Sequence, residues 1–321
     1  MRFTSLRCRT SGDATRGTFA LVLAVLVAGL PIGEAVVHAQ QPIQVFLSAV
    51  DGDGKPITDL KAEEISIQVD GADCSTTRFE AIDWPTKLTV MVDNSPIFND
   101  GLRQLREALR AFVAALPSDM EVSLLSTAPA PRFVYKPGSD RVKLVSSIDL
   151  LTPDSAAPRF IDALSEAAER AAKERAGKEK NNFFPVFFII GNNGIEGSSP
   201  RDYQVQKLFK QTAENAVTIH IVMLSNSSKQ LDIATGTNQI EVGLRLTQMT
   251  GGRYEAIAAQ TRLTSLLSEY AKQIAKSHAR QSHQYRITCQ PAKGSKPAAP
   301  INASTTRSGL SAALTLDGRV P

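Results

Sequence analysis

The sequence predicts an α/β fold, a doubly wound and mostly parallel sheet preceded by a small all-β accessory module, on three observations. Residues 88–92, 122–125, 186–190 and 217–224 are nearly continuous apolar runs, the composition of parallel strands buried on both faces. Between them, Leu102, Leu105, Leu109, Phe112 and Leu116 share one helical face, and Ile161, Leu164, Ala168 and Ala172 share another, at the 3.6-residue period of helices that pack on a core. Upstream, Ile43, Val45 and Leu47, then Ile65, Ile67 and Val69, alternate at least in part with polar residues, the pattern of half-buried strands. Alternating strand and helix is most economically satisfied by an open sheet with right-handed crossovers and helices on both faces.

In chain order, residues 1–39 have the layout of an export signal. Arg2, Arg7, Arg9 and Arg16 outnumber Asp13, an apolar run extends from Phe19 to Leu30, and Val37-His38-Ala39 supplies cleavage positions before Gln40. As a helix that run spans about 18 Å, short of the roughly 30 Å hydrocarbon core of a membrane. The mature chain is therefore expected to be extracytoplasmic, whether periplasmic, at the cell surface or secreted, with a retained anchor as the rival reading. No later segment reads as a stable membrane span.

Residues 40–83 are expected to form the β module, with Asp51-Gly52-Asp53-Gly54 as a turn. A calcium loop starting at Asp51 fails, because Lys55, Pro56 and Ala62 stand where such a loop needs a ligand, a Gly and a Glu. Residues 84–280 form the α/β domain. Within it Ser199 as N-cap, Pro200 at the first helical position and Asp202 in the first turn announce a third helix. Leu263, Leu266, Leu267, Tyr270 and Ile274 mark a fourth. Residues 281–321 hold a strand at 285–289, a Pro, Ala, Lys and Ser-rich linker, and a terminal strand near 310–316.

Composition excludes several classes. The formal net charge is +4, and the arginines of the export segment account for part of it, so no basic surface for nucleic acid is expected. Cys74 and Cys289 both lie outside 84–280. In an oxidising compartment they are a disulfide candidate, with two buried thiols or an intermolecular bridge as the alternatives. None of the four His residues has metal-ligand spacing, and His220, inside a predicted strand, reads as structural. No Gly-x-Ser-x-Gly elbow and no Gly-rich phosphate loop is present. The chain is expected not to be an enzyme, an unrecognised extracytoplasmic activity being the weaker alternative.

The apolar strand 88–92 running into Asp93-x-Ser95 resembles the first motif of von Willebrand factor type A domains. Asn193-Gly194, after the strand at 186–190, stands where that family has Asp-Gly, and Thr250-Gly251-Gly252 resembles its Thr-Gly-Gly segment. Lys55 to Gly71 resembles the short β module that precedes this domain in exported bacterial relatives, and Arg307-Ser308-Gly309 their C-terminal Arg-x-Gly. The resemblance covers about residues 43–289. It implies a protein-binding or scaffold module, acting through a Mg²⁺ completed by a partner's carboxylate or through metal-independent contacts.

The same resemblance implies a degenerate ion site. Mg²⁺ wants near-octahedral oxygen ligands with one or two carboxylates among them. Asp93 and Ser95 match the first two positions, but Ile97 stands at the third and Asn193 replaces the second Asp. Pro158 most nearly aligns with the family's Thr, although Thr152 or Ser155 could return a hydroxyl. Asp93, Ser95 and Asn193 are thus expected to be a vestigial ligand set. The expectation is no resident cofactor, with weak or partner-dependent Mg²⁺ or Mn²⁺ binding as the alternative and an unidentified protein as the partner.

Overall fold

The computed structural model describes residues 41–177, 182–225, 233–294 and 300–320; the export segment 1–39 and part of the linker lie outside them. The chain runs through β1 (Ile43–Val50), β2 (Ile65–Val69), β3 (Ala72–Ile82), β4 (Thr86–Val92), α1 (Leu102–Ala114), β5 (Glu121–Ser126) and β6 (Arg132–Gly138). It continues with α2 (Arg141–Ser147), α3 (Phe160–Arg175), β7 (Phe184–Asn192), α4 (Asp202–Glu214), β8 (Thr218–Leu224) and α5 (Ile233–Thr250). After these come β9 (Tyr254–Ile257), α6 (Leu263–Gln281), β10 (Gln284–Gln290), β11 (Ile301–Thr305) and β12 (Ser311–Thr315).

The four apolar runs become adjacent strands of one sheet, ordered β6-β5-β4-β7-β8-β9. All neighbours pair in parallel except β5 and β6. Both faces are sealed, as continuous apolar runs require. Leu88, Val90 and Val92 of β4 meet Leu105, Leu109 and Phe112 of α1 and Leu266 and Tyr270 of α6. On the other face Met91, Phe187 and Ile219 meet Phe160 and Leu164 of α3 and Leu208 of α4. The Phe112 and Phe188 rings stack at 4.9 Å, binding α1 to the middle of the sheet.

The third predicted helix begins later than its sequence signal. Arg201, not Ser199, is the N-cap of α4, because Gln204 Oε1 accepts the Arg201 N–H at 2.8 Å and closes the first turn there.

The all-β part is not contained in residues 40–83. The second sheet is antiparallel and ordered β11-β2-β3-β10-β1-β12, so β10 enters between β3 and β1 while β11 and β12 form the edges. Three strands alone would leave Val45, Leu47, Ile67 and Val69 without a cover. Tyr285, Ile287 and Cys289 from β10 complete that core. At its centre Cys74 and Cys289 are disulfide-bonded. The Asp51 turn closes by hydrogen bonds from the Asp53 and Lys55 N–H groups to Asp51 Oδ1, at 3.0 and 2.9 Å.

Aromatic packing joins the two sheets. Trp84, in the link from β3 to β4, lies 5.7 Å from Phe46 and 5.6 Å from Phe184, ring centre to ring centre. Gly318 packs on the same cluster, and its carbonyl accepts Gln284 Nε2 at 2.7 Å.

Candidate functional site

The central strand β4 has β5 on one side and β7 on the other, so the chain leaves its two neighbours in opposite directions and a crevice opens beyond their carboxyl ends. Asp93, Asn94 and Ser95 follow β4 directly into this crevice, and all three are buried. The Asp93 N–H continues the ladder to the Ile190 carbonyl at 2.8 Å, which fixes where the side chain starts.

Each of these residues ties down a different loop. Asp93 Oδ1 accepts the Ser95 N–H at 2.8 Å, the local turn that Asp favours. Asn94 Oδ1 accepts the Ala128 N–H at 3.0 Å while its Nδ2 donates to the Thr152 carbonyl at 2.9 Å, stitching the loop after β5 to the loop before α3. The residue that reaches Asp93 from β7 is Asn192 and not Asn193. Asn192 Nδ2 donates to Asp93 Oδ2, and it also approaches Ser95 Oγ at 3.3 Å. Its Oδ1 accepts the Gly194 N–H at 2.6 Å, which sets the orientation of the amide. Asn193 lies one residue further on, with its N–H donating to the Leu224 carbonyl at 3.1 Å. An Asn-Asn-Gly run offers two registers for an Asp-Gly match, and strand pairing selects the earlier Asn.

The loop after β7 then folds over the start of α3. The Glu196 carboxylate accepts the Phe160 and Ile161 N–H groups at 3.2 and 3.0 Å, and Ser198 Oγ accepts that of Asp162 at 3.1 Å. These are the orphan donors of the first turn, and a carboxylate there also suits the helix dipole. Gln239 of α5 holds the same loop through Nε2 to the Gly194 carbonyl at 2.9 Å. Burial pushes the Asp93 carboxyl above the ordinary range; the hydrogen bonds from Ser95 and Asn192 oppose this, and the nearby Glu196 charge adds to it.

This arrangement does not fit a magnesium ion. An amide donor faces Asp93 Oδ2 and Ser95 Oγ, where a cation would have to be. Pro158 lines the crevice, while Thr152 and Ser155 are exposed. Thr127 Oγ1 and Gln239 Oε1 face the same crevice without a protein partner, but they add two neutral oxygens and no charge. No cluster of three or more His, Cys, Asp or Glu side chains suited to a metal occurs among the described residues.

Asn94, Asn192, Glu196 and Gln239 have no periodicity or motif of their own in the sequence to mark them. Asn94 is the unspecified position of Asp93-x-Ser95, and Glu196 stands in a loop without periodicity. The Asn-Asn-Gly run is the signal the sequence offers here, with Asn193 expected in the site and Asn192 bonded to Asp93.

Residues 88–191 match the family model of the von Willebrand factor type A domain. No curated protein matches the chain in sequence. Among solved structures it is similar to a von Willebrand factor type A protein from Catenulispora acidiphila, at 10% identity over 79% of this chain and 73% of that one, with a TM-score of 0.49. The human COPII-coat protein Sec24c is similar at 12% identity over 74% of this chain and 42% of its own, with a TM-score of 0.45. The SpRpn10 VWA domain is similar at 16% identity over 58% of this chain and 95% of its own, with a TM-score of 0.41.

Proposed function

We propose, from the match of residues 88–191 to the von Willebrand factor type A domain, generally a protein-interaction or adhesion module, a non-enzymatic, extracytoplasmic protein-binding or scaffold protein that needs no magnesium ion to bind. The observation that carries this reading is the internal neutralisation of the crevice. Asp93 is 1% exposed and each of its oxygens already accepts a hydrogen bond, from the Ser95 N–H and from Asn192, so it is turned inward and not towards a partner's carboxylate. Binding then falls to the outer surface of the same end of the sheet. Ile195, on the loop after β7, is 65% exposed, and Tyr203, in the first turn of α4, is 62% exposed. Tyr is among the side chains that carry most of the energy at protein interfaces.

The extracytoplasmic part of the proposal is supported by the disulfide between Cys74 and Cys289, a bond that persists in oxidising compartments. No helix among the described residues is long and apolar enough to cross a membrane. Affinity capture from the envelope of the source cells, run in EDTA and again in millimolar Mg²⁺, tests the reading. The same partner should be recovered in both. Loss of the partner in EDTA, or no reproducible partner in either buffer, overturns it.

A further inference from the structure

We propose that Asn192 is a built-in substitute for a cation, and that its amide group is what holds the loops after β4 and β7 together without a metal. This deepens the ion-independent reading above, and its test reads stability, so the two can fail separately.

The argument begins with charge. Asp93, Ser95 and Asn192 are 1%, 3% and 2% exposed, and Asp93 has the Glu196 carboxylate as a neighbouring negative charge. A buried carboxylate is costly unless something positive faces it. The described residues place no Lys or Arg side chain in hydrogen-bond or ion-pair contact with Asp93; the group that faces it is the Asn192 amide. One –NH₂ group answers two oxygens, Asp93 Oδ2 and Ser95 Oγ, as a small cation would. Its own oxygen is held by the Gly194 N–H, so the amide cannot turn over without losing that bond. The donor is thus fixed in direction by the chain itself.

Asn and Asp are nearly isosteric, which makes the substitution informative. Asn192→Asp would set a second buried carboxylate against Asp93 with Glu196 close by. Two such groups cannot both remain ionised without a compensating charge. A cation held between the two carboxylates relieves the variant, so an added divalent ion becomes stabilising where before it had no place.

Thermal melts and titration calorimetry of the mature protein, Asn192→Asp, Asn192→Ala and the exchanged pair Asp93→Asn/Asn192→Asp test this, each in EDTA and in millimolar Mn²⁺. The native protein is expected to melt at the same temperature in both buffers. Asn192→Asp should melt lower in EDTA and recover part of the loss in Mn²⁺, with heat of binding for one ion per chain. Asn192→Ala should melt lower and recover nothing. The exchanged pair keeps one carboxylate and one amide, so it should melt near the native value and ignore Mn²⁺, and it remains readable if the single Asp variant does not fold. Stabilisation of the native protein by Mn²⁺, an Asn192→Asp variant indifferent to Mn²⁺, or an exchanged pair that folds only with Mn²⁺ overturns the proposal.

Discussion

Cys74 on β3 and Cys289 on β10 are bonded across neighbouring strands, with Cα atoms 5.5 Å apart and a separation of 215 positions in the sequence. The bond closes a loop that contains the whole α/β domain, and long loops are where a cross-link removes most entropy from the unfolded chain. Replacing both cysteines by Ala should lower stability by about 2–5 kcal/mol, read as a lower urea midpoint. Dithiothreitol should reproduce the shift in the native protein and leave the double variant unchanged.

His220 should set part of the acid sensitivity. It sits in β8 opposite Phe188, its Nδ1 accepts the Arg253 N–H at 3.1 Å, and Tyr270 meets its ring edge-on. Burial, helped by the Arg253 charge, lowers its pKa from 6.5 to about 4. The folded state therefore prefers the neutral ring. Its contribution is fully present above pH 6.5 and is lost as pH falls towards about 4, a span worth roughly 3 kcal/mol. His220→Gln should flatten the decline of urea stability between those two pH values. An unchanged decline would show that the ring does not titrate with folding.

Gly251 and Gly252 should differ sharply although they are neighbours. Gly251 has φ +69 and open space around it, so Ala there costs only the left-handed strain of about 1–2 kcal/mol. At Gly252 a Cβ would stand 1.7 Å from the Ile219 carbonyl oxygen, a main-chain atom of β8. Gly252→Ala should cost roughly 3 kcal/mol or more, and paired urea melts of the two variants would give the order.

Glu196→Ala should remove two acceptors from the first turn of α3 and lower stability by roughly 1–2 kcal/mol. Hydrogen exchange should quicken first at Phe160 and Ile161, whose N–H groups it holds. Faster exchange spread evenly over the domain would point to general loosening instead.

The parts of the fold legible in the sequence are those where one periodicity dominates. The four apolar strands and the helices α1, α3 and α6 declare themselves by burial on a continuous face. The helix α5 does not, because Thr235, Gly236, Thr237 and Gly243 are weak helix formers. A Cβ at Gly243 would crowd Ile221 Cδ1 at 3.0 Å, a tight contact at the movable end of a side chain. The edge strand β6 hides for a related reason: Lys136 and Pro137 interrupt it, and its register to β5 is irregular. In the site, Asp93 and Ser95 were legible because a motif fixes their distance from a strand end. Asn192, Asn94 and Glu196 were not, since their roles arise from hydrogen bonds across 99, 34 and 36 residues of sequence.

The interleaving of the second sheet has a consequence in time. Among the described strands β1 pairs with β10 and β12, so a chain delivered with its N-terminus first must keep β1 without a partner strand while almost everything else emerges. Each strand pairing inside the α/β sheet, by contrast, needs only residues 86–257. That sheet can assemble earlier, and domains commonly fold as units in order of synthesis. Its α6 leads straight into β10, so finishing the domain carries Cys289 back to Cys74. Oxidation then records that the interior has already folded, and a premature bond would trap an unfinished one.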